Sequence, residues 1–231
     1  MTLTTPNPKR ATLTITAAVL ALLAGPAFAE TKPAHDHAHD HAHDHAHDHG
    51  SADAAKISKG YFDDDQIAPR ELSDWTGDWQ SVYPLLQDGT LDPVMAHKAE
   101  HGDKTAAEYK AYYDTGYRSD ISRIEIVGST ITFHRGDSAA KGEYAADGHE
   151  VLTYPKGNRG VRFIFKKQSG DDAAPAFIQF SDHRIAPSKA DHFHLYMGED
   201  RAKLLEELTN WPTYYPAGLT PAQIVDEMMA H

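Results

Sequence analysis

The chain has no cysteine among its 231 residues. That excludes a disulfide framework, a thiolate metal site and a thiol nucleophile, so any metal site must be built from histidine and carboxylate. Positive charge is also scarce: 22 Lys and Arg stand against 34 Asp and Glu, a net charge of −12. No basic stripe offsets this excess, which argues against nucleic acid as a partner. The sequence contains no nucleophile elbow, phosphate loop or dinucleotide fingerprint. Past the first 29 residues no apolar stretch is long enough for a membrane helix. What the chain does have is histidine, 16 in all.

Residues 1–29 read as a secretory signal. Lys9 and Arg10 supply the basic start, and Ala11 through Leu23 form an apolar run. Gly25-Pro26 breaks the run, and Ala27-Phe28-Ala29 is a small-x-small cleavage site before Glu30. Removal of Lys9 and Arg10 leaves 20 bases against 34 acids, a charge of −14. The expected product is exported, periplasmic where an outer membrane exists, with no membrane insertion after cleavage.

From His35 to His49 every odd position is histidine: His35, His37, His39, His41, His43, His45, His47 and His49. The even positions alternate Asp and Ala, so nothing there can bury a core. Residues 30–59 are therefore expected to be a disordered metal-collecting arm with a linker at Ser51–Lys59, and order is expected from about Gly60. Imidazoles suit zinc, copper and nickel alike. An arm without fixed geometry predicts several ions and weak selectivity. The alternative is a solvated low-complexity tail with incidental affinity.

The remainder predicts a mainly β domain with added helices over residues 60–231. Short runs read as strands at Ile121–Val127, Thr130–Arg135, Gly142–Ala145, Glu150–Tyr154, Val161–Lys166, Ala176–Ser181 and His192–Met197. Turn signals such as Asp147-Gly148 separate most of them. With a strand around Trp79 this gives about eight, enough to close a small antiparallel barrel. Gly77-Asp78-Trp79 matches the Gly-x-Trp opening of the first strand in lipocalin-like barrels. Helices are expected after Asp92-Pro93, at the capping box Thr105–Glu108, over Arg201–Thr209 behind an Asp200 cap, and after Thr220-Pro221. Tyr109, Tyr112 and Tyr113 fall at helical spacing and read as core packing.

His183, His192 and His194 carry the chemistry. His192 and His194 sit two residues apart, which on a strand puts both side chains on one face. His183 closes the neighbouring run, so three neutral nitrogens can converge on one zinc ion and leave a fourth position open. Strand histidines pointing into solvent are the alternative. Asp182 and Asp191 are candidate acceptors that orient the rings. His97-Lys98-Ala99-Glu100-His101 follows the H-x-x-E-H order on a helix. The match is short and its surroundings are acidic and polar, so it reads as an exposed face, with a secondary metal site as the alternative. His134 is read as lining the barrel, His149 as a surface turn, and His231 as a flexible end able to reach a metal.

Several longer stretches resemble one family. They are Leu72-Ser73-Asp74-Trp75, Trp79–Leu86, Ile178–His183, His192-Phe193-His194, Asn210–Pro216 and Glu227–His231. Together they look like the periplasmic zinc- and cadmium-binding ZinT (YodA) proteins, from about Gly60 to the last residue. The resemblance implies a lipocalin-like (calycin) antiparallel β-barrel and zinc at His183, His192 and His194. The fourth position would go to water or a mobile ligand. It also implies zinc delivery to the periplasmic binding protein of a zinc ABC transporter. The missing cysteines remove a disulfide that some relatives carry.

The leading expectation is a binding protein and not an enzyme: a zinc buffer or chaperone, with Cd²⁺, Cu²⁺ and Ni²⁺ as competitors. Protons compete for imidazoles of pKa about 6.5, so affinity should fall as pH drops below about 6. A zinc hydrolase or hydratase using metal-bound water, and a lipocalin-like carrier of a small apolar ligand, are the alternatives.

Overall fold

Apolar and polar residues alternate along the β-runs, and the structure closes those runs into a barrel. It is a computed structural model that describes residues 49–230, with side chains from Asp53 onward. The signal segment, the arm histidines His35–His47 and His231 lie outside the described residues. The strands are β1 Gly77–Ser81, β2 Arg123–Val127, β3 Thr130–Arg135, β4 Ser138–Thr153, β5 Arg159–Gly170, β6 Phe177–Ser181, β7 Phe193–Gly198 and β8 Thr213–Pro216. Each pairs antiparallel with the next, and β8 pairs with β1 to close the ring. The helices are α1 His49–Ser58, α2 Tyr83–Gln87, α3 Asp92–His101, α4 Ala106–Tyr117, α5 Arg201–Glu206 and α6 Pro221–Ala230. No helix among the described residues is long and apolar enough to cross a membrane.

The barrel interior is aromatic. Trp75 enters from a short turn and stacks on Phe180 at 4.6 Å, with Phe163 and Phe165 around it. Trp79 of β1 meets Phe193 edge-on at 4.7 Å and donates its indole N–H to the Trp75 carbonyl at 2.8 Å. Such pairs add about 0.5–1.5 kcal/mol each beyond their buried area. A second apolar cluster lies outside the ring, where Leu86, Met95, Tyr117, Ile224 and Met228 of the helices gather against Tyr215 of β8. β5 is buried on both faces, and its outward Arg162 donates to the Leu204 and Glu207 carbonyls. The guanidinium thereby satisfies carbonyls at the end of α5 that have no partner within the helix.

The strand inventory differs from the expectation in two compensating ways. Gly142–Ala145 and Glu150–Tyr154 are parts of one long strand, β4. Asp147-Gly148 is a bulge, marked by a register shift between Ala146 and His149, with Gly148 at a φ of 84°. An extra residue in one strand is absorbed there without ending the pairing. The eighth strand is instead Thr213–Pro216, whose flanking prolines hid it.

The linker expected at Ser51–Lys59 is mostly helical. Its alanines favour helix. The stop is a paired closure, in which the Gly60 N–H reaches the Ile57 carbonyl and the Tyr61 N–H reaches that of Lys56, both at 2.9 Å. Gly60 has a φ of 85°, and a Cβ there would fall 2.4 Å from the Arg159 carbonyl oxygen, so only glycine fits. Ile57 packs on the barrel core. The capping boxes at Thr105 and Thr220 and the Asp200 cap form as expected. For α3 the cap position is Leu91, and Asp92 belongs to the first turn. α5 ends at Glu206, short of the expected Thr209.

Candidate metal centre

β6 ends at Ser181, and the chain turns out of the sheet through Asp182 and His183. His183 has a φ of 63°, a left-handed conformation uncommon outside glycine. Buried Arg70 secures the turn from a distant part of the chain. Its Nη1 donates to Asp182 Oδ1 at 2.6 Å, its Nη2 to the Ser188 carbonyl at 2.6 Å, and its Nε to Asp74 Oδ2 at 2.7 Å. The same guanidinium lies 4.1 Å over the Trp75 ring. Asp74 in turn accepts the Ser188 N–H, and its carbonyl accepts the Ala190 N–H. The loop from His183 to Asp191 is thus stitched to residues 70–75 at both ends.

The loop returns the chain into β7. Phe193 is fully buried in the barrel, so the residues on either side of it face the other way. His192, just ahead of the strand, stacks on Tyr215 at 5.0 Å with the rings 10° from parallel. His194 lies opposite Ser181 of β6 and Thr213 of β8. The three imidazoles converge, with ring centroids 5.9 Å apart for His183 and His192, 5.6 Å for His183 and His194, and 6.0 Å for His192 and His194. One nitrogen from each lies within 4.8 Å of the others. Zinc bonds of about 2.0–2.1 Å place tetrahedral ligands roughly 3.4 Å apart, so modest ring rotations suffice to close on an ion. Two adjoining cavities of about 540 and 970 Å³ open over the site, both lined by His183 and His194.

Thr213 fixes the tautomer of His194. Its hydroxyl proton goes to the Trp211 carbonyl at 3.0 Å, so its oxygen accepts from His194 Nδ1 at 2.8 Å. A hydroxyl has one proton to give. His194 therefore carries its proton on Nδ1 and presents Nε2 to the site. Burial, and then the neighbouring His183 and His192, push its pKa well below the ordinary value. The ring stays neutral, as a metal ligand must be.

The family profile described as ZinT (YodA) periplasmic lipocalin-like zinc-recruitment matches residues 53–231. The chain belongs to the ZinT family. It is 56% identical over 177 residues to the "Probable metal-binding protein YrpE" of Bacillus subtilis (strain 168), spanning 76% of this chain and 70% of that one. It is 52% identical over 180 residues to the "Zinc-binding protein AdcA" of Streptococcus pyogenes serotype M1, spanning 76% of this chain but only 35% of AdcA. Among solved structures, the Zn(II)-bound ZinT-like domain of Streptococcus pneumoniae AdcA superposes with a TM-score of 0.72 at 48% identity, over 75% of this chain and 97% of that domain. The lipocalin-like barrel expected from the sequence is thus the ZinT fold.

Within this ZinT domain, the carboxylates expected to orient the rings are engaged elsewhere: Asp182 by Arg70 and Asp191 by Arg184. The orienting acceptor for His194 is Thr213, 19 residues on. His134 does not line the barrel: Phe133 is the inward residue, and His134 lies outside, 3.3 Å from Glu125. His149 belongs to β4, with its ring 5.9 Å from that of Phe163. Tyr109 and Tyr113 pack on the helical cluster as expected, but Tyr112 is half exposed against Trp211. His97, Glu100 and His101 lie together on the outer side of α3.

Two expected results follow from His194 and Thr213. The Thr213→Val substitution keeps the shape but leaves the His194 Nδ1–H without its acceptor. Loss of such a supporting bond weakens metal affinity by about 10–100-fold, which a competitive zinc titration reads. The second concerns pH. The unfolded chain takes a proton on this imidazole below about pH 6.5 that the folded chain refuses, so the metal-free protein loses stability as pH falls through that value. Urea unfolding of metal-free protein should show that loss, and the His194→Asn variant should lack it.

Proposed function

We propose that the protein is an exported zinc carrier that takes up zinc at His183, His192 and His194 and hands it to the zinc-binding component of an ABC transporter. The observation that carries the reading is the convergence of three ring nitrogens within 4.8 Å where β6 ends and β7 begins. Thr213 orients one of those rings, and burial keeps it neutral. Three protein ligands leave room for a fourth from water or from a receiver, which suits transfer by ligand exchange. The carboxylates beside the site are tied to arginines, and the phenol of Tyr215 is pushed up to about 12 by burial. Neither is placed as a proton-handling group, which favours carriage over hydrolysis or hydration.

The relatives support the metal. AdcA is named a zinc-binding protein, and its ZinT-like domain was solved with Zn(II). Imidazole donors also accept Cd²⁺, Cu²⁺ and Ni²⁺, which we read as competitors. The signal-like first 29 residues and the family description support a periplasmic setting. The histidines from His35 to His49 act in this reading as the collecting arm.

Transfer is tested by mixing the zinc-loaded chain with the metal-free solute-binding protein of the same cell. Handover predicts that the receiver fills faster than zinc dissociates into a chelator alone. Equal rates would mean the two proteins only share a free-zinc pool. Replacing His35–His47 by serine should lower the total zinc bound and leave the tightest site intact.

A further inference from the structure

The outer side of α3 carries a second set of metal donors. His97 and His101 are one helical turn apart, and Glu100 is three residues from His97, so His97 shares its face with both. The two imidazole centroids are 5.0 Å apart. One donor atom from each of the three side chains lies within 4.8 Å of the others. The basic residue between them, Lys98, turns away and lies 5.6 Å over the Tyr113 ring of α4. The donors occupy the last turn of a ten-residue helix, where the carbonyl ends carry partial negative charge and favour a cation.

We propose that His97, Glu100 and His101 form a second site for a borderline divalent cation, with water completing the shell. Two imidazoles and one carboxylate suit zinc, and Cu²⁺ and Ni²⁺ equally. Glu100 and His101 are exposed, so the ligands are held less rigidly than at the barrel and the site should be the weaker one. Its position gives it a use. Lys98, on the same helix turn, lines the 970 Å³ cavity that also holds His192 and His194. A weak site on the helix flanking that cavity is a staging position for ions on their way in. This role rests on the zinc-carrier reading, whereas the site itself does not.

The test is a ZnSO₄ titration of the full ¹⁵N-labelled chain, followed through the imidazole nitrogen resonances. His97 and His101 should shift together with one midpoint, at a free zinc concentration at least about tenfold above that for His194. In His101→Ala the His97 response should move to about tenfold higher zinc, and Glu100→Gln should weaken both in the same direction. The His194 response should be unchanged in both variants, since they alter exposed residues. Different midpoints for His97 and His101, or a His97 response unaltered by His101→Ala, would overturn the second site. Because His194 reports the barrel site in the same spectra, failure on α3 is distinguishable from failure of the zinc-carrier reading.

Discussion

Substituting both His192 and His194 by alanine should weaken zinc binding at the tight site by about 10⁴-fold. Four-ligand protein zinc sites hold the ion with roughly 10–16 kcal/mol, or about 3 kcal/mol for each ligand. Two lost imidazoles leave only His183 of the three converging histidines. The fold should tolerate the change, because both side chains point out of the barrel while the intervening Phe193 stays fully buried. Competition against a calibrated chelator measures the effect, and circular dichroism checks the fold. Affinity retained to within about tenfold would place the tight site elsewhere.

Arg70→Ala should give the largest loss of stability. Arg70 is 3% exposed and Asp182 is 5% exposed, so the substitution strands a carboxylate in the interior. Removing one partner of a buried ion pair costs about 3–5 kcal/mol, a large share of the roughly 5–15 kcal/mol that holds a domain folded. The Ser188 carbonyl loses its Arg70 donor as well, and Asp74 is left with the Ser188 N–H. Urea unfolding should show the loss, and adding Asp182→Asn should restore part of it by removing the stranded charge. Zinc affinity should fall in parallel, because Arg70 holds the turn on which His183 sits. A loss below about 1 kcal/mol would show that the loop is secured by other contacts.

The convergence of the three histidines was legible in the sequence, and what supports it was not. The spacing of His192 and His194 around an apolar Phe193 fixes a common face by strand geometry alone. His183 follows from its place at the end of the run before. The residues that orient and secure these ligands come from far along the chain. Thr213 opens a four-residue strand that follows Pro212 and ends on Pro216, a pattern that discourages a strand assignment. Arg70 meets Asp182 across 112 residues, and only the fold brings them together. The one local hint was the spacing of Arg70 and Asp74, four apart, which do form an ion pair.

The barrel itself was legible for a similar reason. Runs such as Thr130–Arg135 alternate so regularly that strand and expectation coincide. Asp147-Gly148 misled because a glycine at positive φ serves a bulge as well as a turn, and only the partner strand decides which. Ser51–Lys59 misled because its alanines look like a continuation of the low-complexity arm. The signal that it folds is Ile57, the one large apolar residue in that stretch.

A zinc ion held by His183, His192 and His194 has a direct crystallographic signature. Diffraction at the zinc absorption edge, from crystals of the full chain with one equivalent of zinc, tests it most directly. A single dominant anomalous peak is expected about 2.0–2.1 Å from a ring nitrogen of each of the three histidines, with Nε2 the ligand from His194. A dominant peak elsewhere, with those three nitrogens free of metal, would contradict it.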